Sequence, residues 1–260
     1  MICAGIDAGS RTIKIVLLDA DTLQVAAKAV TDQGVEQDKL ARRLFGKLLK
    51  NRGISRKKVA RIVATGYGRN AVGFADTTIT EITCHAVGVR YLMPDVMTVI
   101  DIGGEDSKLI RLDMTGKVRD FAMNDRCAAG TGRFLEIVAR RLGVDIRSLG
   151  KLAAKSRSPA PISSMCVVFA ETEIIGLLAS GTKREDIVAG VQAAIASRVT
   201  ALAGRNAELP IVFTGGVALV CGMDTALRSA LGQTVTVSPD PQMTGALGAA
   251  ILAANHIAHC

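Results

Sequence analysis

The chain has 260 residues, of which 49% are apolar and 3% aromatic, and it carries a formal net charge of +8. This length allows one large domain or two ordinary ones, with a core of small aliphatic side chains. No apolar run reaches the length of a membrane span and the chain enters a strand directly, so we expect a cytoplasmic protein without membrane contact. Six cysteines without paired short spacings argue against a disulfide framework.

The positive charge is concentrated in one stretch. Of the 32 basic residues, nine lie between Arg42 and Arg61, where there is no acidic residue, and the other 23 face 24 acidic ones. Leucines at helical spacing in this stretch indicate a helix with a solvated basic face. Docking of an acidic protein partner is the alternative. Nucleic acid is not expected, because no aromatic residues interleave with the charges and no recognition motif accompanies them.

The hydrophobic periodicity predicts two successive sets of strands and helices. In the first set, we expect strands at about 2–7, 12–19, 23–30 and 59–65 and helices at about 35–52 and 81–92. In the second set, we expect strands at about 96–101, 106–112, 118–123, 211–214 and 234–237. Its helices are expected at about 130–142, 165–179, 184–205 and 243–255, with one more between the last two strands.

Strand meanders followed by alternating helices and strands are typical of an α/β fold with mixed sheets flanked by helices. We expect two lobes of this kind, with a boundary near Pro94 that divides residues 1–94 from residues 95–242. The final segment, 243–260, is expected to pack back on the first lobe, so that the two lobes hinge together.

One glycine-containing turn occurs twice. Residues 6–16 align without gaps with residues 100–110, and both copies read Asp-x-Gly-x-x-x-x-Lys between apolar strand residues. The tip of such a hairpin exposes backbone N–H groups to an anion, and an acid at its entrance can hold a hydrated divalent cation. We therefore expect the two tips to bind the phosphates of a nucleotide from both sides. Asp7 and Asp101 would then hold Mg²⁺ through water as catalytic residues, and a pair of ordinary hairpins is the alternative.

A third glycine signal follows an apolar strand at residues 211–214, where Gly215 and Gly216 lead into a helix. Bare backbone at such a place lets a flat ring or a sugar lie against the chain, although an ordinary strand-to-helix turn has the same pattern. The remaining predicted phosphate-binding residues are Gly9, Ser10, Arg11, Thr12 and Lys14 in the first tip and Gly103, Gly104 and Lys108 in the second.

The order of these three signals resembles the actin, Hsp70 and sugar-kinase superfamily, which has a ribonuclease H-like fold. In that superfamily a first phosphate loop, a second phosphate loop and an adenosine loop follow one another along the chain. The resemblance covers nearly the full length and implies that ATP or ADP binds between two lobes.

Two cysteines lie at the predicted starts of helices, Cys127 just ahead of one and Cys166 at the front of another. A helix N-terminus stabilises a thiolate through its dipole and its unpaired N–H groups, which suits the thiolate to bind a metal. Two cysteines cannot complete a four-thiolate site, but two copies of the chain related by a twofold axis can. The alternative is that both are buried and act as small apolar side chains.

The other cysteines and one histidine are expected to have no role in a site. Cys3, Cys84 and Cys221 lie in apolar strand or helix contexts without a partner at a suitable spacing, and Cys260 is terminal. His85, next to Cys84, is expected to be a packed helix residue.

Four segments together resemble the activators of 2-hydroxyacyl-CoA dehydratases. These segments are residues 64–70, 100–104, 124–132 and 166–171. The activators belong with the ATPase subunits of benzoyl-CoA reductase in a family of ATP-driven donors of low-potential electrons. The resemblance implies a homodimer with one [4Fe–4S] cluster at its interface, bound by the two cysteines matching Cys127 and Cys166 in each subunit.

The same resemblance implies a course of events. Reduced ferredoxin or flavodoxin would donate an electron to the cluster, and ATP binding would change the angle between the subunits and the hydrogen bonding around the cluster. The potential of the cluster would fall, and an iron–sulfur dehydratase or reductase component would accept the electron. ATP hydrolysis would give the transfer its direction. The sequence does not indicate which acceptor or which final substrate is involved.

The chain departs from the resembled family at Glu105, where we expect a glutamine in the second phosphate loop. A carboxylate there would lie near the γ-phosphate and repel it unless Mg²⁺ or Lys108 compensates, or it would orient the attacking water; we count it among the catalytic residues. Two other functions fit the same superfamily. A small-molecule kinase would need a catalytic acid for a substrate hydroxyl, and a nucleotide-switched assembly protein would not need Cys127.

Overall fold

The computed structural model describes residues 1–163, 166–203 and 207–258, with the side chains of residues 203 and 258 left out. Residue 205, the predicted end of one helix, and Cys260 lie outside the described residues. The chain separates into two compact units. One comprises Met1–Asp95, Leu112–Val118 and Gln242–Cys260, and the other comprises Val96–Arg111 and Arg119–Pro241.

The first unit is built on a mixed sheet. Its strands are Ile2–Ala8 (β1), Thr12–Asp19 (β2), Val25–Asp32 (β3), Val59–Thr65 (β4) and Thr77–Thr78 (β5). Their order in the sheet is β3-β2-β1-β4-β5. Strand β1 is antiparallel to β2 and parallel to β4, and its register places Asp7 opposite Lys14.

The second unit repeats this arrangement. Its strands are Thr98–Ile102 (β6), Ser107–Leu112 (β7), Val118–Asn124 (β8), Ile211–Thr214 (β9) and Val235–Val237 (β10). Their order is β10-β9-β6-β7-β8, so β6 occupies the same place between an antiparallel and a parallel neighbour as β1 does. The register of the hairpin places Asp101 opposite Lys108.

Helices flank both sheets. Within the described residues the α-helices are Gln37–Asn51 (α1), Glu81–Leu92 (α2), Gly132–Leu142 (α3), Leu149–Ala153 (α4), Val167–Ala179 (α5), Arg184–Ala203 (α6), Met223–Leu231 (α7) and Thr244–Ala258 (α8). None of the helices in the described ranges combines the length and the apolar character that crossing a membrane requires.

Most predicted elements are present, and the local backbone explains the shifts. Strand β3 begins later than predicted because Leu23 adopts a φ of 57°, which a strand does not allow. Helix α3 begins at Gly132 because the Thr131 side chain accepts a hydrogen bond from the N–H of Arg133 at 3.3 Å and so caps the helix. The short elements α4 and β5 were not predicted.

Helix α8 packs directly on β1 and on α2 in the core of the first unit. Its buried face is rich in small side chains, among them Ala246 and Ala250, which let the backbones approach closely. At two contacts only glycine fits, since a Cβ on Gly88 would collide with the carbonyl oxygen of Thr244 and a Cβ on Gly248 with that of Cys84. The close contact between α2 and α8 therefore requires glycine at both positions.

Replacing Gly88 by alanine is expected to lower the free energy of unfolding by about 1–3 kcal/mol, because the added methyl group forces α2 and α8 apart. The matched control is Gly46→Ala in α1, where a Cβ would meet nothing within 4 Å. That change should raise the free energy of unfolding by roughly 0.5–1 kcal/mol through helix propensity. Urea unfolding measures both, and equal effects at the two positions would contradict the close packing.

Candidate functional site

The first predicted tip joins β1 to β2 and is closed by backbone hydrogen bonds. The N–H of Gly9 donates to the carbonyl oxygen of Thr12 at 3.1 Å, and the side chain of Gln33 donates to the carbonyl oxygen of Gly9 at 2.9 Å. The Lys14 ammonium lies 3.0 Å from a carboxylate oxygen of Asp7. Both groups are largely buried, so this ion pair is shielded from solvent and strengthened by the low local dielectric.

The rest of the first tip is more accessible. Arg11 is exposed at the tip, whereas Ser10 and Thr12 are half-buried. The N–H of Gly68 donates to the carbonyl oxygen of Ala8 at 2.7 Å, which fixes the end of β1 against the loop that follows β4. The first tip thus exposes the cationic side chain of Arg11, and backbone hydrogen bonds hold the loop that carries it.

The second tip joins β6 to β7 and contains a denser cluster of charges. The buried Lys108 ammonium lies 3.2 Å from a carboxylate oxygen of Asp101 and 2.8 Å from one of Asp106. The N–H of Gly103 donates to the carbonyl oxygen of Asp106 at 2.9 Å and closes the turn. Glu105 is exposed at the tip, at the position that Arg11 occupies in the first tip.

The second tip also holds the beginning of α3. The N–H of Gly132 donates to the carbonyl oxygen of Gly103 at 2.9 Å, and the N–H of Arg133 donates to that of Gly104 at 2.8 Å. N–H groups in the first turn of a helix lack partners within the helix, so this tip satisfies two of them. A movement of the tip is therefore transmitted to the start of α3 through backbone alone.

The predicted adenosine turn lies at the end of β9, against β6. Gly215 has a φ of 92°, and a Cβ there would collide with the carbonyl oxygen of Ile102 and with a carboxylate oxygen of Asp101. Its N–H donates to the carbonyl oxygen of Pro241 at 2.8 Å. Gly216 begins a short 3₁₀ helix, Gly216–Leu219.

The first unit has the same feature at a residue that the sequence did not assign to a site. Gly66 follows β4 with a φ of 88°, and a Cβ there would collide with the backbone of Ala8 and with a carboxylate oxygen of Asp7. A signal for it was present, since Thr65 and Gly66 repeat the Thr-Gly pair that ends β9. Each aspartate therefore lies between a lysine from the antiparallel neighbour and a bare glycine from the parallel one.

Cys127 is exposed and lies ahead of α3, as predicted, with a short segment between them. It precedes a 3₁₀ turn, Ala128–Gly130, and Thr131 is the residue that caps α3. The side chain of Asn124 forms two hydrogen bonds with the backbone of Cys127. It accepts one from the N–H of Cys127 at 3.0 Å and donates one to the carbonyl oxygen of Cys127 at 2.7 Å.

Cys166 is exposed and directly precedes α5, as predicted, with an extended backbone at the N-cap position. The helices after the two cysteines, α3 and α5, pack against each other in the second unit, and Arg141 of α3 forms an ion pair with Glu171 of α5. Within the described ranges, no three His, Cys, Asp or Glu side chains cluster in a way that could hold a metal ion.

Helix α5 carries apolar side chains on its solvent-exposed face. Val168, Phe169 and Ile175 are 67%, 68% and 46% exposed, respectively. They follow Cys166 along one side of the helix. Phe121 and Met123, which precede Cys127 on β8, are also exposed. Large apolar side chains grouped on a surface mark an interaction site in most proteins.

The remaining cysteines divide into two kinds. Cys3 and Cys84 are fully buried, as predicted, and burial raises the pKa of the Cys84 thiol to about 12. Cys221 is exposed in the loop before α7, so the expectation that it packs like the other two was wrong. The sequence misled there because its apolar neighbours belong to a 3₁₀ turn instead of a buried strand or helix.

Comparison with known proteins first defines the class. The two mixed sheets with flanking helices belong to the actin, Hsp70 and sugar-kinase fold class, as predicted from the sequence. A ROK family glucokinase from Streptomyces griseus, in complex with glucose and AMPPNP, superposes with a TM-score of 0.62 over 98% of this chain and all of that one. Since the two sequences are only 14% identical, this likeness shows the fold alone.

Closer matches then define the family. Residues 4–253 match the BadF/BadG/BcrA/BcrD ATPase family, and the chain belongs to it. The chain is 44% identical over 254 residues to an activator of lactoyl-CoA dehydratase from Anaerotignum propionicum, covering 97% of each protein. The activator of the 2-hydroxyisocaproyl-CoA dehydratase from Clostridium difficile, with bound ADPNP, superposes with a TM-score of 0.94 at 39% identity, covering all of this chain and 96% of that one. The resemblance stated from the sequence is confirmed, and so is the expectation of an ATPase.

The exposure of the cysteines predicts their reactivity in iron-free protein. Accessible thiolates attack alkylating reagents, so Cys127, Cys166 and Cys221 should react quickly, whereas Cys3 and Cys84 should react only after unfolding. Mass spectrometry of protein treated with an alkylating reagent for increasing times measures each site separately. Rapid labelling of Cys84 in folded protein would contradict its burial.

Proposed function

We propose that this protein is the ATP-dependent activator of a 2-hydroxyacyl-CoA dehydratase or a related reductase, and that it donates low-potential electrons from a [4Fe–4S] cluster shared by two copies of the chain. The observation that carries the proposal is the exposure of Cys127 and Cys166, both in the second unit, in a chain that is similar over 97% of its length to a dehydratase activator. Exposed thiols can meet the same thiols of a second copy, whereas buried ones cannot.

The residues present fit such a cluster in number and chemistry. Cys127 and Cys166 from two copies supply the four thiolates that a [4Fe–4S] cluster requires. Cys166 is exposed at the N-cap position of α5, where its thiol is accessible to iron. The clamp by Asn124 fixes the backbone of Cys127 and so limits the positions that its thiol can take. When bound, the cluster stores one electron and passes it on.

A homodimer follows from the same surface. The exposed apolar side chains of α5 begin right after Cys166, so a copy that shares the cluster would also cover Val168 and Phe169. A twofold axis through the cluster makes the contact isologous, with the same residues contributed by both copies. Covering these side chains stabilises the dimer through the hydrophobic effect.

We assign nucleotide binding to the two tips and to the adenosine turn at Gly215 and Gly216. Asp7 and Asp101 have the position and the chemistry to hold the water shell of a Mg²⁺ ion, which would neutralise phosphate charge. Lys14 and Lys108 hold the two carboxylates in place. The backbone N–H groups at the tips bind phosphate oxygens.

The second tip connects the nucleotide to the cluster segment. Its carbonyl oxygens at Gly103 and Gly104 accept the first N–H groups of α3, and Cys127 lies just before that helix. A displacement of the tip on ATP binding or hydrolysis would therefore displace the backbone that carries Cys127. This is how hydrolysis would alter the hydrogen bonding around the cluster and give electron transfer its direction.

Glu105 adds a negative charge at the exposed end of this tip. The lysine of this turn, Lys108, is already paired with Asp101 and Asp106. Mg²⁺ would therefore have to offset repulsion between Glu105 and the γ-phosphate, unless the carboxylate orients the attacking water. We assign Glu105 a role in the rate of hydrolysis and none in holding the cluster.

The partners follow from this function. A reduced ferredoxin or flavodoxin donates the electron, an iron–sulfur dehydratase or reductase component accepts it, and the reaction belongs in the cytoplasm of an anaerobic cell. Neither a membrane nor nucleic acid takes part. The kinase alternative has only the likeness of fold to support it.

Iron binding tests the proposal. Anaerobic reconstitution should give a brown dimer with about four irons per two chains. Cys127→Ser and Cys166→Ser should each abolish the colour and ATP-dependent electron transfer but leave ATP binding intact, because the tips belong to other segments. Cys221→Ser is the matched control, since Cys221 is also exposed, and it should keep the full iron content. A colourless wild-type monomer that still hydrolyses ATP would refute the redox function.

Nucleotide binding is tested at the two aspartates. Asp7→Asn and Asp101→Asn should each lower Mg²⁺-dependent hydrolysis at least tenfold, a change of about 1.4 kcal/mol in the activation free energy, because the amide holds the hydrated ion less well. Asp21→Asn is the control, at an exposed turn after β2. Steady-state kinetics at several Mg²⁺ concentrations measure the effect, and unchanged turnover in both variants would remove the assignment.

A further inference from the structure

The basic stretch of the first unit has no role in the function proposed above. No acidic residue lies between Asp38 and Asp76. Helix α1 buries Ala41, Phe45 and Leu48 in the core beside the sheet, so the predicted helix with a solvated basic face is confirmed. We call the exposed cations of α1 and of the segment that follows it the basic surface. They are Arg42, Arg43, Lys47, Lys50, Arg52, Arg56, Lys57 and Lys58.

Two cations of the basic surface are held by the protein itself. Arg42 forms an ion pair with Asp38 at 2.6 Å, and its guanidinium lies 4.7 Å from the centre of the Phe74 ring. The guanidinium of Arg56 lies 5.8 Å from the centre of the Phe45 ring, which places the segment after α1 against the helix. These two side chains therefore have partners within the fold.

The other six cations have no counter-charge in the described part of the chain, where none of their side chains takes part in a hydrogen bond or an ion pair. On α1, Lys47 follows Arg43 by four residues, and Lys50 follows Lys47 by three. Side chains at these spacings are neighbours on a helix, and like charges there destabilise it. Carboxylates supplied by another molecule would remove this repulsion.

A glycine lies among these cations on the exposed face of α1. A Cβ at Gly46 would meet nothing within 4 Å, so no contact within the described residues requires glycine there. Glycine inside a helix is also less favourable than alanine. Bare backbone between Arg43 and Lys50 does, however, let the side chains of another molecule come close to the helix between the charges.

The basic surface attracts other molecules through charge and offers little apolar area. Among residues 42–58, all of which the structure describes, no large apolar side chain is exposed, and the one aromatic residue, Phe45, is buried. Stacking of bases on exposed aromatic rings, by which many proteins bind single-stranded nucleic acid, is therefore not available. Association through charge alone is rapid and sensitive to salt, which suits a protein that docks and leaves again.

We propose that the basic surface is a docking surface for a protein partner that presents a row of carboxylates. The proposal rests on the proposed function, which requires protein partners that dock and leave, because the electron arrives and departs in separate encounters. Arg43 and Lys50 are seven residues apart, so the cations of α1 span about 10 Å along the helix axis. Acidic side chains two turns apart on a partner helix match this length.

The binding test uses labelled polyglutamate as the probe for a carboxylate-rich protein and labelled duplex DNA as the competing class, both followed by fluorescence anisotropy. A triple variant with Arg43→Glu, Lys47→Glu and Lys50→Glu should bind polyglutamate about tenfold more weakly than wild type at low salt, because attraction becomes repulsion. The triple variant with glutamine at the same positions should lie between the two. Urea unfolding checks that both variants are folded.

The matched control changes the same amount of charge at exposed positions of the second unit. It combines Lys151→Glu, Lys155→Glu and Arg157→Glu, whose side chains are also exposed. This variant should bind polyglutamate within about twofold of wild type, because salt screens charges that are far from the docking surface. Equal losses in the two glutamate variants would overturn the proposal, since net charge alone would then explain the binding.

The functional test measures ATP-dependent electron transfer with reconstituted protein. The Arg43, Lys47 and Lys50 glutamate variant should raise the KM for the reduced ferredoxin or flavodoxin, or for the acceptor component, about tenfold. Its iron content and its ATP hydrolysis without partners should stay normal.

An unchanged KM for both partners would overturn the docking surface, and so would tighter binding of DNA than of polyglutamate that is lost in the same variant. A wild-type protein that binds no iron would refute the proposed function, and the polyglutamate comparison would still decide on the surface.

Discussion

In each unit, a lysine on one strand of a hairpin pairs with an aspartate directly opposite on the other, and both side chains are largely buried. The pairs are Lys14 with Asp7 and Lys108 with Asp101. A buried carboxylate without a partner costs several kcal/mol, so each lysine fixes both the register of its hairpin and the position of its aspartate. The two candidate phosphate-binding tips depend on these positions, because each aspartate lies against a lysine of the antiparallel strand and a glycine that follows the parallel strand.

The close packing around the aspartates explains the pattern of glycines. Gly66 follows β4, the strand parallel to β1, and Gly215 follows β9, the strand parallel to β6. Glycine is required at both places because a Cβ would collide with a carboxylate oxygen of the aspartate. The lining of each carboxylate is therefore mostly backbone, which cannot change with the sequence. The exposed tip residues are under no such constraint, and there the two units differ in charge, with Arg11 in one and Glu105 in the other.

The sequence predicted the features that local patterns determine, but not those that depend on contacts between distant segments. The hairpins, the two aspartates and their lysines were predictable because the pattern is local and occurs twice. The role of Gly66 could have been inferred from the same repetition, since Thr65 and Gly66 repeat Thr214 and Gly215. The hydrogen bond between the buried side chains of His85 and Thr244 was not predictable, because it joins segments far apart in the chain, and no local period reports such a contact. Cys127 was correctly placed ahead of α3, but the predicted start of that helix was about two residues early, because the hydrogen bond from the N–H of Arg133 to the Thr131 hydroxyl was not foreseen.

The position of that helix start decides how the second unit can work. Since Thr131 caps α3, Cys127 belongs to a separate short segment, which Asn124 clamps on one side and the helix bounds on the other. The helix start is itself held by the carbonyl oxygens of Gly103 and Gly104. On the function proposed above, the segment that carries Cys127 is thus connected to the nucleotide-binding turn through the start of α3. That connection consists of backbone hydrogen bonds, so substitutions at exposed tip residues can alter hydrolysis while leaving it intact.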